Sequence, residues 1–265
     1  MTLFLRELKG NCKSFLIWTL CIITILGMFM AMYPSFAEQG SSLDQMLSGF
    51  SPEMLKMFSF DSLDFTVGLD YYAYMFQYIL LAAMIQFMIF GAGLLSREED
   101  AGTINFLYAK PLSRSSIVTT KFLSGLAYAA VFFAVYTGSA CAVLAAVDSA
   151  PINLGAVLLL SLALLLAQLM MMGIGMLLSM FIIKTRTVMS VSIGAVLLLY
   201  VLSMVVNLND SLEALKYFTP FQYFDARDIA HSGSIGWVYI VLPLGMALAG
   251  YALSLLIYNR RDLKC

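Results

Sequence analysis

Six long apolar runs divide this chain, and none contains an Asp, Glu, Lys, Arg or His: residues 15–33, 71–95, 122–147, 154–183, 187–206 and 235–258. A hydrocarbon core about 30 Å thick is crossed by about 20 apolar residues in an α-helix. Each run is close to or above that length. In lipid the backbone N–H and C=O groups have no water to bond, so only helices and closed barrels can span it. The runs are continuous rather than alternating, which selects helices. The expected fold is an all-α membrane protein with six transmembrane helices, built as a single domain over residues 1–265. Composition agrees: 61% of the 265 residues are hydrophobic and 12% are charged, whereas a soluble domain carries about a quarter charged residues.

Six spans put both termini on one side of the membrane. That side holds twelve of the fifteen bases: Arg6, Lys9, Lys13, Arg97, Lys110, Arg114, Lys121, Lys184, Arg186, Arg260, Arg261 and Lys264. Lys56, Lys216 and Arg227 lie on the other. The excess of Lys and Arg in cytoplasmic loops then predicts cytoplasmic termini.

The longest polar stretch on the basic side is residues 96–121, SREEDAGTINFLYAKPLSRSSIVTTK. Ser96 with Glu99 has the spacing of a capping box at a helix start. Glu98, Glu99 and Asp100 would then occupy a first turn, where carboxylates meet the positive end of the helix dipole. Ala101, Ile104, Leu107 and Tyr108 give that helix an apolar face. Lys110-Pro111 ends it, because a residue before proline is pushed out of the α region. Ser113 is placed to cap the helix that follows. Two readings fit these residues: an amphipathic helix resting on the membrane surface, and a docking element for a cytoplasmic partner.

The remaining polar segments are shorter or more acidic. Residues 1–13 place Arg6, Lys9 and Lys13 on one helical face, as an interfacial helix would. Residues 34–70 are acidic, and Ser51-Pro52 marks a short helix start there. Residues 207–234 carry Tyr217, Phe218, Phe221, Tyr223 and Phe224, which suit an aromatic belt.

Several chemistries lack their residues. No glycine-rich phosphate loop ending in Gly-Lys-Ser/Thr is present. His231 is the sole histidine and sits outside the spans, which leaves metal and Ser-His or Cys-His catalysis without material. The four cysteines, Cys12, Cys21, Cys141 and Cys265, avoid the acidic loops, so no disulfide framework is expected. Spans without ionisable groups argue against proton coupling, which relies on them. The intramembrane amides Gln77, Gln86 and Gln168 are candidates for a substrate path, and equally for interhelical hydrogen bonds. The run Met170-Met171-Met172-Gly173-Ile174-Gly175-Met176 reads as packing. Ser190 and Gly194 form a small-xxx-small pair that permits close helix approach.

The order Glu98, Gly102-Thr103, Phe106-Leu107, Pro111, Ser113-Arg114 and Lys121 resembles the segment after the second span in permeases of type 2 ATP-binding-cassette (ABC) exporters. The number and order of spans resemble that family over the whole chain. The resemblance implies an elbow helix at residues 1–13 and interfacial helices around Thr219-Pro220. It also implies a coupling helix within residues 96–121, seated in a groove of a separate ABC ATPase subunit. The coupling residues it implies are Glu98, Glu99, Gly102, Thr103, Ile104, Phe106, Leu107, Pro111, Ser113 and Arg114. ATP and Mg would be bound by that partner, with no cofactor in this chain and no nucleic acid involved. Two permeases would pair, as identical or related copies, with the second and fifth spans near the interface. The setting implied is the bacterial cytoplasmic membrane. The cargo implied is an antimicrobial peptide, drug, lipid, glycan or sodium. Two other classes remain open on the residues: a membrane-embedded enzyme, and a membrane scaffold or sensor without transport.

Overall fold

The computed structural model describes residues 2–39, 49–57, 66–100, 102, 113–147, 153–182, 184–208 and 215–260. Six helices among them are long and apolar enough to cross a membrane. In chain order the helices are α1 (Thr2–Glu38), α2 (Pro52–Met57), α3 (Gly68–Asp100), α4 (Arg114–Val147), α5 (Leu154–Ser179), α6 (Thr185–Leu208), α7 (Pro220–Tyr223), α8 (Ala226–Ser232) and α9 (Val238–Arg260). The spans are α1, α3, α4, α5, α6 and α9. No strand occurs among the described residues.

The six spans are not equivalent. In its most apolar window α3 is 83% buried and α5 67%, while the other four are between 22% and 28%. The fold is therefore a central pair, α3 and α5, with α1, α4, α6 and α9 around it. Tertiary contacts run from α3 to α1, α4, α5 and α6, and from α5 to α4 and α9.

Glycine sets how close the central helices come. A Cβ on Gly91 would lie 2.2 Å from the Met172 carbonyl oxygen, and one on Gly175 would lie 2.4 Å from that of Met88. The backbones of α3 and α5 touch there. A second crossing joins α5 to α9, where a Cβ on Gly250 would lie 2.3 Å from the Gly173 oxygen. Lipid tails are as apolar as leucine, so helices in a membrane gain from such close packing rather than from burying apolar surface as such. Met170, Met171, Met172 and Met176 are fully buried around these crossings, which is the packing role their sequence suggested.

The small-residue pair Ser190 and Gly194 is used differently. Both are exposed on α6, and a Cβ on Gly194 would meet nothing within 4 Å. Their close-approach surface meets no other helix among the described residues. Gln86 on α3 is 4% exposed, enclosed by the chain's own helices, so it does not offer a surface to a second copy.

At the end of the bundle opposite the basic loops, short helices pack over the spans. Ser51 Oγ accepts from the Met54 amide at 3.3 Å at the start of α2. Pro220 opens α7. Asp225 caps α8 by accepting from the Arg227 amide, and Gly233 (φ 65°) ends it. Burial, and next the neighbouring Asp225 carboxylate, raise the Asp228 carboxyl above its ordinary value. α8 rests on α3 and α5, and His231 Nε2 lies 3.2 Å from Asp70 Oδ1 at the start of α3.

Two boundaries differ from the sequence reading. Residues 2–13 do not form a separate helix; α1 runs unbroken through 37 residues. The reason is a continuous buried face: Glu7, Asn11, Phe15, Thr19, Ile22 and Leu26 recur at helical spacing and are all buried. A bend would break that register. The second difference lies at residues 96–100. They belong to the end of α3, not to the start of a new helix.

Candidate functional site

The polar segment singled out by the sequence joins α3 to α4. Ala101, Thr103, Ile104, Phe106, Leu107, Tyr108, Pro111 and the side chain of Glu99 lie outside the described residues. Both flanks are described, and they carry a dense polar network.

Ser96 is fully buried inside α3, and its hydroxyl donates to the Ala92 carbonyl at 2.8 Å. A serine bonded four residues back along its own helix is not a helix cap, so the capping box expected at Ser96 and Glu99 does not form. Glu98 and Asp100 consequently sit at the carboxyl end of a helix, where the dipole disfavours negative charge. Each has a compensating partner. Lys121 Nζ lies 3.2 Å from Glu98 Oε2 and 3.0 Å from Glu7 Oε1. Asp100 Oδ2 accepts from the backbone amide of Thr185 at 3.2 Å, at the amino end of α6, where the dipole favours a carboxylate.

The cluster around Lys121 is deeply placed. Lys121 is 1% exposed and Glu7 and Asn11 are each 8% exposed. Arg97 Nη1 donates to Asn11 Oδ1 at 2.6 Å, and Asn11 Nδ2 donates to the Glu7 carbonyl at 3.1 Å. The Tyr128 hydroxyl donates to the Leu8 carbonyl. Two cations (Arg97, Lys121) and two anions (Glu7, Glu98) therefore share one largely buried site. Isolated buried charges would cost several kcal/mol each, and the cluster persists because each is paired and hydrogen-bonded.

Just past the end of α3 stands Gly102, whose φ of 63° lies in the left-handed region. Glycine takes this conformation without the steric cost other residues pay, and it commonly follows a helix end. Across the segment, Ser113 Oγ accepts from the Ser116 amide at 3.2 Å, so Ser113 does cap α4. Arg114 Nη1 donates to the carbonyls of Tyr258 and Asn259 at 3.4 and 3.5 Å. Asn259 Nδ2 donates to Ser115 Oγ at 3.1 Å. The start of α4 is thus fastened to the end of α9.

These contacts share one geometry. Residues 97–100 and 114–121 flank the segment, and they hold α1, α6 and α9 as well as joining α3 to α4. Five of the six spans meet at this junction. Of the residues the sequence singled out, Glu98, Gly102, Ser113 and Arg114 are placed in it. Glu7, Asn11, Arg97 and Asp100 are also placed there, and sequence reasoning assigned them no such part. A signal existed for two of them: Glu7 and Asn11 fall four residues apart on the face opposite Arg6, Lys9 and Lys13.

The amides are placed elsewhere. Gln77 is half-buried on α3. Gln168 is fully buried, and neither of its amide atoms has a hydrogen-bond partner among the described residues; the same holds for Gln86 Oε1. At the far end a cleft of about 190 Å³ is lined by Tyr223, Asp225, Asp228 and Tyr239 among others. Among the described residues no group of three or more His, Cys, Asp or Glu side chains is arranged to hold a metal.

The cap formed by Asp100 is testable by itself. In Asp100→Ala the amides in the first turn of α6 should exchange with solvent roughly fivefold faster, the equivalent of about 1 kcal/mol for a lost cap. Global melting should stay near wild type, since Asp100 is exposed. Hydrogen exchange followed by peptide mass spectrometry reads both quantities.

No curated protein sequence matches the chain. A family model described as ABC-2 family transporter protein matches residues 1–263, nearly the whole chain, and the six apolar helices agree with it. The chain belongs to the ABC-2 transporter family and is a multi-pass membrane permease of an ABC transporter.

Proposed function

We propose that this permease exports its cargo with energy from ATP hydrolysed on a separate ABC ATPase subunit, and that residues 101–112 form the contact with that subunit. The observation that supports this most is the junction. Both flanks of the segment are tied to the ends of five spans, so a push on it would move those helices together. A surface helix with no partner would need no such anchoring. In this reading ATP and Mg are held by the partner, and both termini and the segment face the cytoplasm of a bacterium. Two permeases, identical or related, complete the membrane part. α6, with its exposed face and open Gly194, is better placed to meet the second copy than α3. The cargo class stays as broad as the family resemblance: peptide antibiotics, drugs, lipids, glycans or sodium.

The test uses apolar residues of the segment rather than the charges that hold its flanks. Ile104→Asp and Leu107→Asp should each lower permease-stimulated ATP turnover roughly tenfold, the equivalent of about 1.4 kcal/mol. Co-purification of the cognate ATPase subunit should fall in parallel, while permease yield and melting temperature hold. Wild-type turnover and co-purification in both variants would remove the coupling role.

A further inference from the structure

We infer that the basic end of α1 is a binding site for an anionic phospholipid. Arg6, Lys9 and Lys13 would hold the headgroup, and Leu16, Ile17 and Leu20 would line the acyl chain beneath it. Positions 6, 9, 13, 16 and 20 advance by three or four residues and so form one stripe along the helix, with Ile17 at its edge. All six are exposed, with Leu16 at 58%, Ile17 at 53% and Leu20 at 67%. The stripe lies opposite the buried face that carries Glu7 and Asn11. Glu7 is the one carboxylate among residues 1–37, and its ion pair with Lys121 removes it from the surface. What α1 shows outward at this end is therefore positive charge alone. Arg6, Lys9 and Lys13 make no ion pair among the described residues.

The order of residues along the stripe selects the partner. Three bases occupy roughly 10 Å of helix, and three aliphatic side chains follow within roughly the next 10 Å, at 1.5 Å per residue. A water-soluble protein would complement the basic half only. A phospholipid presents an anionic group above an apolar tail, in the same order and on the same scale. Bases at a membrane surface attract anionic headgroups over zwitterionic ones. A Cβ on Gly10, beside the bases, would meet nothing within 4 Å, so the headgroup has open space to approach.

The experiment uses the full chain in lipid nanodiscs, with a tryptophan reporter on the stripe. Ile17→Trp is combined with Trp18→Phe and Trp237→Phe, which removes both native tryptophans. Phosphatidylglycerol or phosphatidylcholine with brominated tails is added at the same low mole fraction. The brominated anionic lipid should quench the reporter at least about twofold more strongly, and high salt should abolish the excess. Adding Arg6→Gln, Lys9→Gln and Lys13→Gln should abolish it as well. The salt series needs no charge variant, so it decides even where that variant inserts poorly. Equal quenching by the two lipids in the parent protein overturns the site. Equal quenching together with loss of the ATPase from the charge variant overturns it too, and gives the stripe to the partner subunit.

Discussion

Lys121→Met should lower the melting temperature of the permease by roughly 10 °C, because removing one partner of a buried ion pair costs about 3–5 kcal/mol. The side chain of Lys121 is 2% exposed, and those of Glu7 and Glu98 are 9% and 15% exposed. Methionine is close to lysine in volume but leaves Glu7 and Glu98 without the cation they share in a largely buried site. The loss should therefore come from the uncompensated charges, not from packing. Adding Glu7→Gln and Glu98→Gln to Lys121→Met removes both charges and should recover more than half of the drop. Arg114→Ala is the contrast, since its bonds to carbonyls are long and partly exposed and should be worth under about 1 kcal/mol. Fluorescence-detected size-exclusion after a heat series measures all of these. A triple variant no more stable than Lys121→Met would show that the cluster is held by shape rather than charge.

Gly250→Leu should be among the most damaging substitutions at the described helix glycines. Its Cβ would stand 2.3 Å from the backbone oxygen of Gly173, and backbone cannot rotate aside as a side chain can. Overpacking of this kind costs about 1–3 kcal/mol and more where relief requires moving a helix. Here α9 would have to leave α5. Gly194→Leu is the matched control, because a Cβ there meets nothing within 4 Å, and its monomer stability should stay near wild type. Melting temperature compares the two directly. A second readout is a thiol at Ala247, which is 3% exposed and faces Gly173 across the crossing. With the native cysteines replaced by serine, Ala247→Cys should react slowly with maleimide in detergent, and much faster once Gly250→Leu is added. A thiol that stays equally slow would show that the α5–α9 crossing yields without separating.

The segment between α3 and α4 shows where a sequence reading succeeds and where it stops. Ser113 as a cap, the short helix after Ser51-Pro52 and the packing role of Met170–Met172 follow from chemistry within a few residues, and the structure has them. Ser96 fails for a related reason. The spacing of Ser96 and Glu99 fits a capping box, but the same letters continue a helix when an apolar run precedes them. Local pattern does not separate the two. The decision falls to Lys121, 23 positions from Glu98 and ion-paired with it, and to Thr185, 85 positions from Asp100, whose backbone amide donates to that carboxylate at the end of α3. The elbow expected at residues 1–13 has the same history: its basic stripe is amphipathic either way, and Glu7 bonded to Lys121 holds it in line with the span.

The six spans themselves were legible because a helix in lipid satisfies its own backbone, so length and apolarity suffice to mark it. Which span lies at the centre was not. Mean hydropathies of the six run only from 2.0 to 2.4, although the central pair α3 and α5 is 83% and 67% buried and the other four spans are 22–28% buried. Lipid and protein interior are equally apolar, so a buried span and a lipid-facing one carry the same hydropathy. Only the tertiary structure distinguishes them, through glycines such as Gly91, Gly175 and Gly250 that let backbones touch, and through the pairing of Glu7 with Lys121 across 114 positions of chain.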